Sequence, residues 1–189
     1  MIRFIVALLL LCNAFIAVGQ TSAGEYVSID GLKKSLGVNM NFRLPKGWSP
    51  GVGSPHVVKS FYNAEYGMVF NIVIVEAYAF ISRNEFRNTV DDWHKMNEKQ
   101  KREDPDVLYY SELSYGVTTI DQYPFIVTCF EEKRRSLGTS VSTMSYMTAY
   151  EDRVIIISFY NSFVDVRCFQ FVIDDIIHSI KFPDQYLTY

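Results

Sequence analysis

Val38, Met40, Phe42 and Leu44 alternate with Asn39, Asn41 and Arg43, a period of two that predicts a strand with one face in a core. Pro45 ends it. Lys46 to Pro55, KGWSPGVGSP, concentrates Gly, Ser and Pro and predicts a loop. Two β-rich runs follow, HVVKSFYN and GMVFNIVIVEA. The second is apolar on both faces from Phe70 to Val75, which predicts a central strand covered on both sides. Ser82 with Glu85 three residues on forms a capping box; it should open a helix presenting Phe86, Val90, Trp93 and Met96 on one face and ending before Pro105.

After Pro105 the period returns to two. VLYYSELSYGVTT, YPFIVTCFEEKR, SVSTMSYMTAYE and RVIIISFYN are separated by turn signals at Ile120-Asp121-Gln122, Ser136-Leu137-Gly138 and Glu151-Asp152, a run of antiparallel hairpins. Ser162 and Asp165 should cap a second helix, whose Val166, Phe169, Val172, Ile173, Ile176, Ile177 and Ile180 make a wide apolar stripe. The predicted class is α+β, in the order βββ-α-ββββ-α: a mostly antiparallel sheet of about six to seven strands with two helices packed on it.

The first residues change the picture of where this domain works. Arg3 precedes the apolar run FIVALLLLCNAFIAV, and Ala17-Val18-Gly19 supplies small residues at a cleavage position. This predicts a signal peptide over residues 1–19 and one exported domain over residues 20–189, periplasmic or extracellular. The apolar run is shorter than the ~20 residues of a spanning helix. Leu11 stands before Cys12 where lipoprotein cleavage needs a small residue, so lipidation is not expected. Losing Arg3 makes the formal charge of −3 one unit more negative, and a mildly acidic, mixed surface gives no reason to expect nucleic acid as partner. With 49% hydrophobic and 15% aromatic residues the chain can bury a core of its own. Export permits disulfides, and Cys129 and Cys168 remain after cleavage; a bridge between them and two separate thiols are both compatible with the sequence.

The order of elements, the opening Phe42-Arg43-Leu44-Pro45-Lys46-Gly47-Trp48 and the closing Ser179-Ile180-Lys181-Phe182 resemble the PsbP and Mog type of α/β/α sandwich. The resemblance spans nearly the whole exported part. It implies a family with photosystem II extrinsic subunits, a Ran-binding protein and many exported bacterial proteins of unassigned role, hence binding and assembly more than catalysis. No functional residue carries over, because no position matches one.

Gly47-Trp48-Ser49-Pro50-Gly51 matches the G-x-S-x-G elbow of serine hydrolases, with Asp91 or Asp165 and then His178 following in the order of α/β-hydrolases. Two features argue against it. The elbow needs a helix directly after the serine, whereas PGVGSP and a strand follow. The residue after the serine must donate a backbone N–H to the oxyanion, and Pro50 has none. Gly51-Val52-Gly53 likewise lacks the helix start that a phosphate loop uses. His56, His94 and His178 are too far apart for metal-ligand spacing, and no cofactor motif is present.

What remains is aromatic. Tyr109, Tyr110, Tyr115, Tyr123, Tyr146, Tyr150 and Tyr160 spread over consecutive strands and either line a partner surface or fill the core with their hydroxyls at the rim. The sequence therefore points to a non-catalytic binding or assembly protein of a bacterial envelope, with another protein as partner. The candidate surface is Trp48, Ser49, Val52 and His56, with Tyr109 and Tyr146. A secreted hydrolase using Ser49 and a small-molecule or lipid carrier are the alternatives.

Overall fold

The computed structural model describes residues 24–186; the expected leader, residues 1–19, lies outside them. The strands are β1 (Glu25–Ser28), β2 (Asn41–Leu44), β3 (Trp48–Pro50), β4 (Val57–Asn63), β5 (Met68–Ile81), β6 (Val107–Ile120), β7 (Tyr123–Arg134) and β8 (Ser140–Asn161). The helices are α1 (Arg83–Asn88), α2 (Val90–Glu103) and α3 (Gln170–His178). β1 and β2 form a small antiparallel pair. The other six form one antiparallel sheet in the order β3-β4-β5-β8-β7-β6.

β8 doubles back on itself. Tyr146 and Phe159, thirteen residues apart, have ring centroids 6.3 Å apart, whereas a straight strand would separate them by roughly 43 Å. The reversal is at Glu151, which has φ +56°, and Asp152; both are exposed. Met147, Ala149 and Val154 consequently share one side of the sheet, while Tyr146, Tyr150, Ile155 and Ile157 share the other. The hairpin signal at Glu151-Asp152 is thus realised within one extended segment. Its first half pairs with β7 and its second with β5.

The main core lies between the sheet and the layer made by α3 and the β1–β2 pair. Phe70 and Phe159 stack at 4.7 Å, with Phe42 edge-on to Phe70 at 5.4 Å and Val172, Ile173, Ile176 and Ile177 of α3 pressed into the same cluster. A smaller cluster on the opposite side joins Phe86 of α1 to Ile126, Met147, Ala149 and Val154, with Val90 and Trp93 against it. β5 is central, as its composition predicts. Only its Phe70, Ile72 and Ile74 side is sealed, however: Val69 and Val73 are half-buried and Val75 is exposed, because α1 covers β7 and β8 and α2 lies farther out over β6 and β7 on that face.

α2 has no fully buried residue and is attached by polar and aromatic clamps. Lys101 Nζ is 3.5 Å from Glu132 Oε2 and 4.0 Å over the Phe130 ring. Glu132 also binds Arg134 at 2.9 Å, and Arg134 binds Asp104 at 3.1 Å. His94 stacks on Tyr115 at 3.8 Å, and the Tyr115 hydroxyl donates to Asp91 at 2.8 Å. Among the described residues no helix is long and apolar enough to cross a membrane.

Candidate functional site

Trp48 to His56 folds as a short edge strand and a projecting loop. β3 pairs with β4 through Trp48↔Asn63 and Pro50↔Phe61. Proline is tolerated on such an edge because no inner partner needs its N–H, which is why the run reads as loop in the sequence. The base of the loop is tied down: Gly51 N–H donates to Ser60 O at 2.8 Å, and Lys34 Nζ donates to Val57 O at 3.1 Å. A Cβ on Gly51 would stand 2.7 Å from Ser60 Oγ, and one on Gly53 2.8 Å from Val57 Cβ. The G-x-G pattern is therefore explained by close packing of the loop on β4. Beyond this base, Val52 is fully exposed at 103%, and His56 is exposed as well.

Beneath the loop lies a cleft of about 330 Å³ with walls from Trp48, Gly51, Gly53, Val57, Lys59 and Ser60. Trp48 is edge-on to Phe70 at 6.1 Å, which fixes the indole against the core. Its buried Nε1–H has no acceptor among the described residues. The arrangement offers an aromatic wall, glycine backbone and an ammonium group, which suits recognition of a side chain or small amphiphile. Ser49 is exposed on β3 opposite Tyr62, and His178 is exposed at the last turn of α3. No hydrogen bond joins them among the described residues.

Tyr109 is half exposed on β6, the opposite edge of the sheet from β3, so it shares no surface with Trp48. Tyr146 is only 3% exposed; burial pushes its hydroxyl up to about 12. It belongs to the core with Tyr123 and Tyr150, a correction to the surface expected from the sequence. In an antiparallel hairpin alternate residues face inward, and the inward set could not be told from the outward set without knowing which faces are covered.

Cys129 and Cys168 are both free thiols, Cys129 buried and Cys168 exposed, so the structure holds the unbridged alternative. Burial, with Asp165 nearby, raises the Cys129 thiol to about 11, far from the reactive thiolate range. A thiol reagent should label Cys168 in the folded chain and Cys129 only after unfolding, as read by mass spectrometry of the intact protein with and without denaturant. Labelling of Cys129 in the folded state would show that β7 opens.

A second group of exposed side chains was missed in the sequence. Phe163 is 87% exposed, Phe171 64% and Val164 46%. Phe171 did leave a signal, as an aromatic outside the stripe that α3 buries.

No protein-family model and no curated protein matches this sequence. Solved structures do. The solution structure of cyanobacterial PsbP (CyanoP) from Synechocystis sp. PCC 6803 superposes with a TM-score of 0.56 at 12% identity, covering 87% of this chain and 96% of that one. The fold is that of PsbP-like proteins. LpqN of Mycobacterium tuberculosis, described as involved in cell envelope biogenesis, shares this PsbP-like fold with a TM-score of 0.53 at 6% identity over 83% of this chain and 90% of its own. A Bacteroides thetaiotaomicron protein matches with a TM-score of 0.51 at 13% identity over 79% of this chain, which spans 47% of that longer one. At such identities the likeness is one of architecture.

Proposed function

We propose that this chain is an exported, non-catalytic binding or assembly protein of a cell envelope whose partner is another protein, engaged by the Trp48 to His56 loop. The observation that carries the reading is the loop itself, a tied base under a fully exposed Val52. Pre-ordering of this kind reduces the entropy lost on binding. The PsbP-like fold supports it, as does the role described for LpqN. Against catalysis at Ser49 stands Pro50, which offers no N–H to an oxyanion.

The test is an affinity capture from the native cell envelope using residues 20–189. A stoichiometric protein partner should be retained, lost by at least about 10-fold with Val52→Asp and unchanged with Ser49→Ala. A hydrolytic activity abolished by Ser49→Ala in a folded protein would overturn the reading. One observation favours a small-molecule carrier as second reading: the cleft reaches the ~300 Å³ at which ligand sites begin. A ligand retained on purification, and identified by mass spectrometry of an extract, would support it.

A further inference from the structure

Asn161 is 2% exposed and has the ordering of one surface loop as its structural task. Its Oδ1 accepts from Phe163 N–H at 2.7 Å and Val164 N–H at 2.9 Å, while its Nδ2 donates to Tyr66 O at 2.7 Å. A buried amide thereby holds two apolar side chains outward. Phe163 leans on Gly67; the neighbouring Tyr66 ring touches Phe169 at 5.3 Å and Phe171 at 6.3 Å. Phe163, Val164 and Phe171 therefore form one ordered apolar patch around the β4–β5 turn. Single exposed apolar residues are ordinary, but contiguous ones on a rigid frame mark contact surfaces.

Beside Phe163 opens a pocket of about 180 Å³, comparable to the ~150 Å³ that accommodates benzene and thus the size of one anchoring side chain. Leu113, Phe163 and Val164 give it apolar walls; Ser142, Glu131 and Asp165 give it acceptors. Arg167 already neutralises Asp165 at 2.6 Å. Glu131 is half-buried and makes no ion pair among the described residues. Lys133, two residues along β7, lies opposite Tyr109.

We infer that this pocket receives a Lys or Arg side chain from a partner protein. The stem of that residue lies along Leu113 and Val164 and its cation meets Glu131, while apolar neighbours in the partner cover Phe163 and Phe171. The free carboxylate selects a cation over an anionic or purely apolar anchor. Glu65 is exposed in the β4–β5 turn beside Tyr66, and its negative charge near the patch disfavours an anionic lipid surface. The exposed tip of the loop, Val52 to His56, lies at the opposite end of the β3–β4 hairpin from the β4–β5 turn.

A random peptide display library selected on residues 20–189 tests it. Enriched peptides should carry Lys or Arg next to an aromatic or aliphatic residue. Their affinity should fall at least about 10-fold with Phe163→Ser plus Phe171→Ser and about 5-fold with Glu131→Gln, without change in melting temperature, and should be unaffected by Val52→Asp. Four results would overturn it: no enrichment; enriched peptides lacking a basic residue; binding undiminished in the patch variants; or a wild-type dimer, or adsorption to phosphatidylglycerol vesicles, that Phe163→Ser abolishes. If Val52→Asp alone releases an envelope partner while the patch selects nothing, this inference fails and the loop reading stands.

Discussion

Phe182→Ala is expected to lower stability by about 4 kcal/mol and the melting temperature by roughly 10 °C, measured by urea and thermal unfolding. Phe182 is fully buried although it lies close to the end of the described chain. Its ring meets Tyr123 at 4.8 Å, Tyr150 at 5.5 Å and Phe125 at 6.4 Å, so truncation leaves a cavity framed by three rings from the paired strands β7 and β8 that cannot all move inward. Lys181 fixes the approach by pairing with Asn41 of β2 through two backbone hydrogen bonds at 2.8 and 2.9 Å. A loss below about 1 kcal/mol would mean that this segment is not docked in solution.

The second large effect belongs to Asp121. Its side chain is 2% exposed and collects hydrogen bonds from Phe182 N–H at 2.6 Å, Gln185 Nε2 at 2.5 Å, Lys181 Nζ at 3.2 Å and the Tyr186 hydroxyl. Burial alone would raise this carboxyl's pKa. The Tyr186 hydroxyl, the Phe182 N–H and Lys181 outweigh it and hold the value below that of an ordinary aspartate. Asp121→Ala should cost about 3 kcal/mol, since it strands the part-buried Phe182 N–H and Gln185 Nε2 and places alanine at φ +45°. Asp121→Asn keeps the turn and removes only the charge, costing about 1–2 kcal/mol at neutral pH. Because the folded pKa is depressed, the stabilisation is complete above the unfolded value near ~3.9 and is lost as pH falls through the folded value. Urea midpoints between pH 5 and pH 2 should therefore fall more steeply for wild type than for Asp121→Asn. Parallel curves would show that the carboxylate contributes no charge-dependent stability.

Local signals were legible where one short-range interaction decides the outcome. Ser82 Oγ accepts from Glu85 N–H as the capping box requires, and Asp121 with Gln122 forms a two-residue turn with both φ positive. Elsewhere a local pattern was overruled. The first helix breaks at Thr89, whose hydroxyl and N–H both return to the carbonyls of Glu85 and Phe86, giving α1 and α2 instead of one rod. Asp165 caps a 3₁₀ turn over Val166–Phe169 before α3 begins. β1 escaped notice because its four residues bury only Val27. The Trp48 loop was visible as a candidate, but its cleft depends on Lys34 and Lys59 from other elements. The Phe163 patch depends on Asn161, whose side chain gives no hint in the sequence that it will turn back to hold Phe163 and Val164.

The two halves of the sheet are joined by the neighbouring strands that lie farthest apart in sequence, β5 and β8. Met68 pairs with Asn161 and Glu76 with Arg153, with α1, α2, β6 and β7 lying between them in the chain. Phe70 has no Phe159 to stack on, and Tyr123 and Tyr150 have no Phe182 to cover them, until nearly the whole polypeptide has been delivered. Contacts of such long sequence separation form slowly. A chain emerging amino end first from a ribosome must carry Phe42, Phe61, Phe70 and Ile72 uncovered for most of its synthesis and complete its core in one late step. Its vulnerability to premature self-association is therefore concentrated before that step, and a holdase bound over β4 and β5 would protect it most.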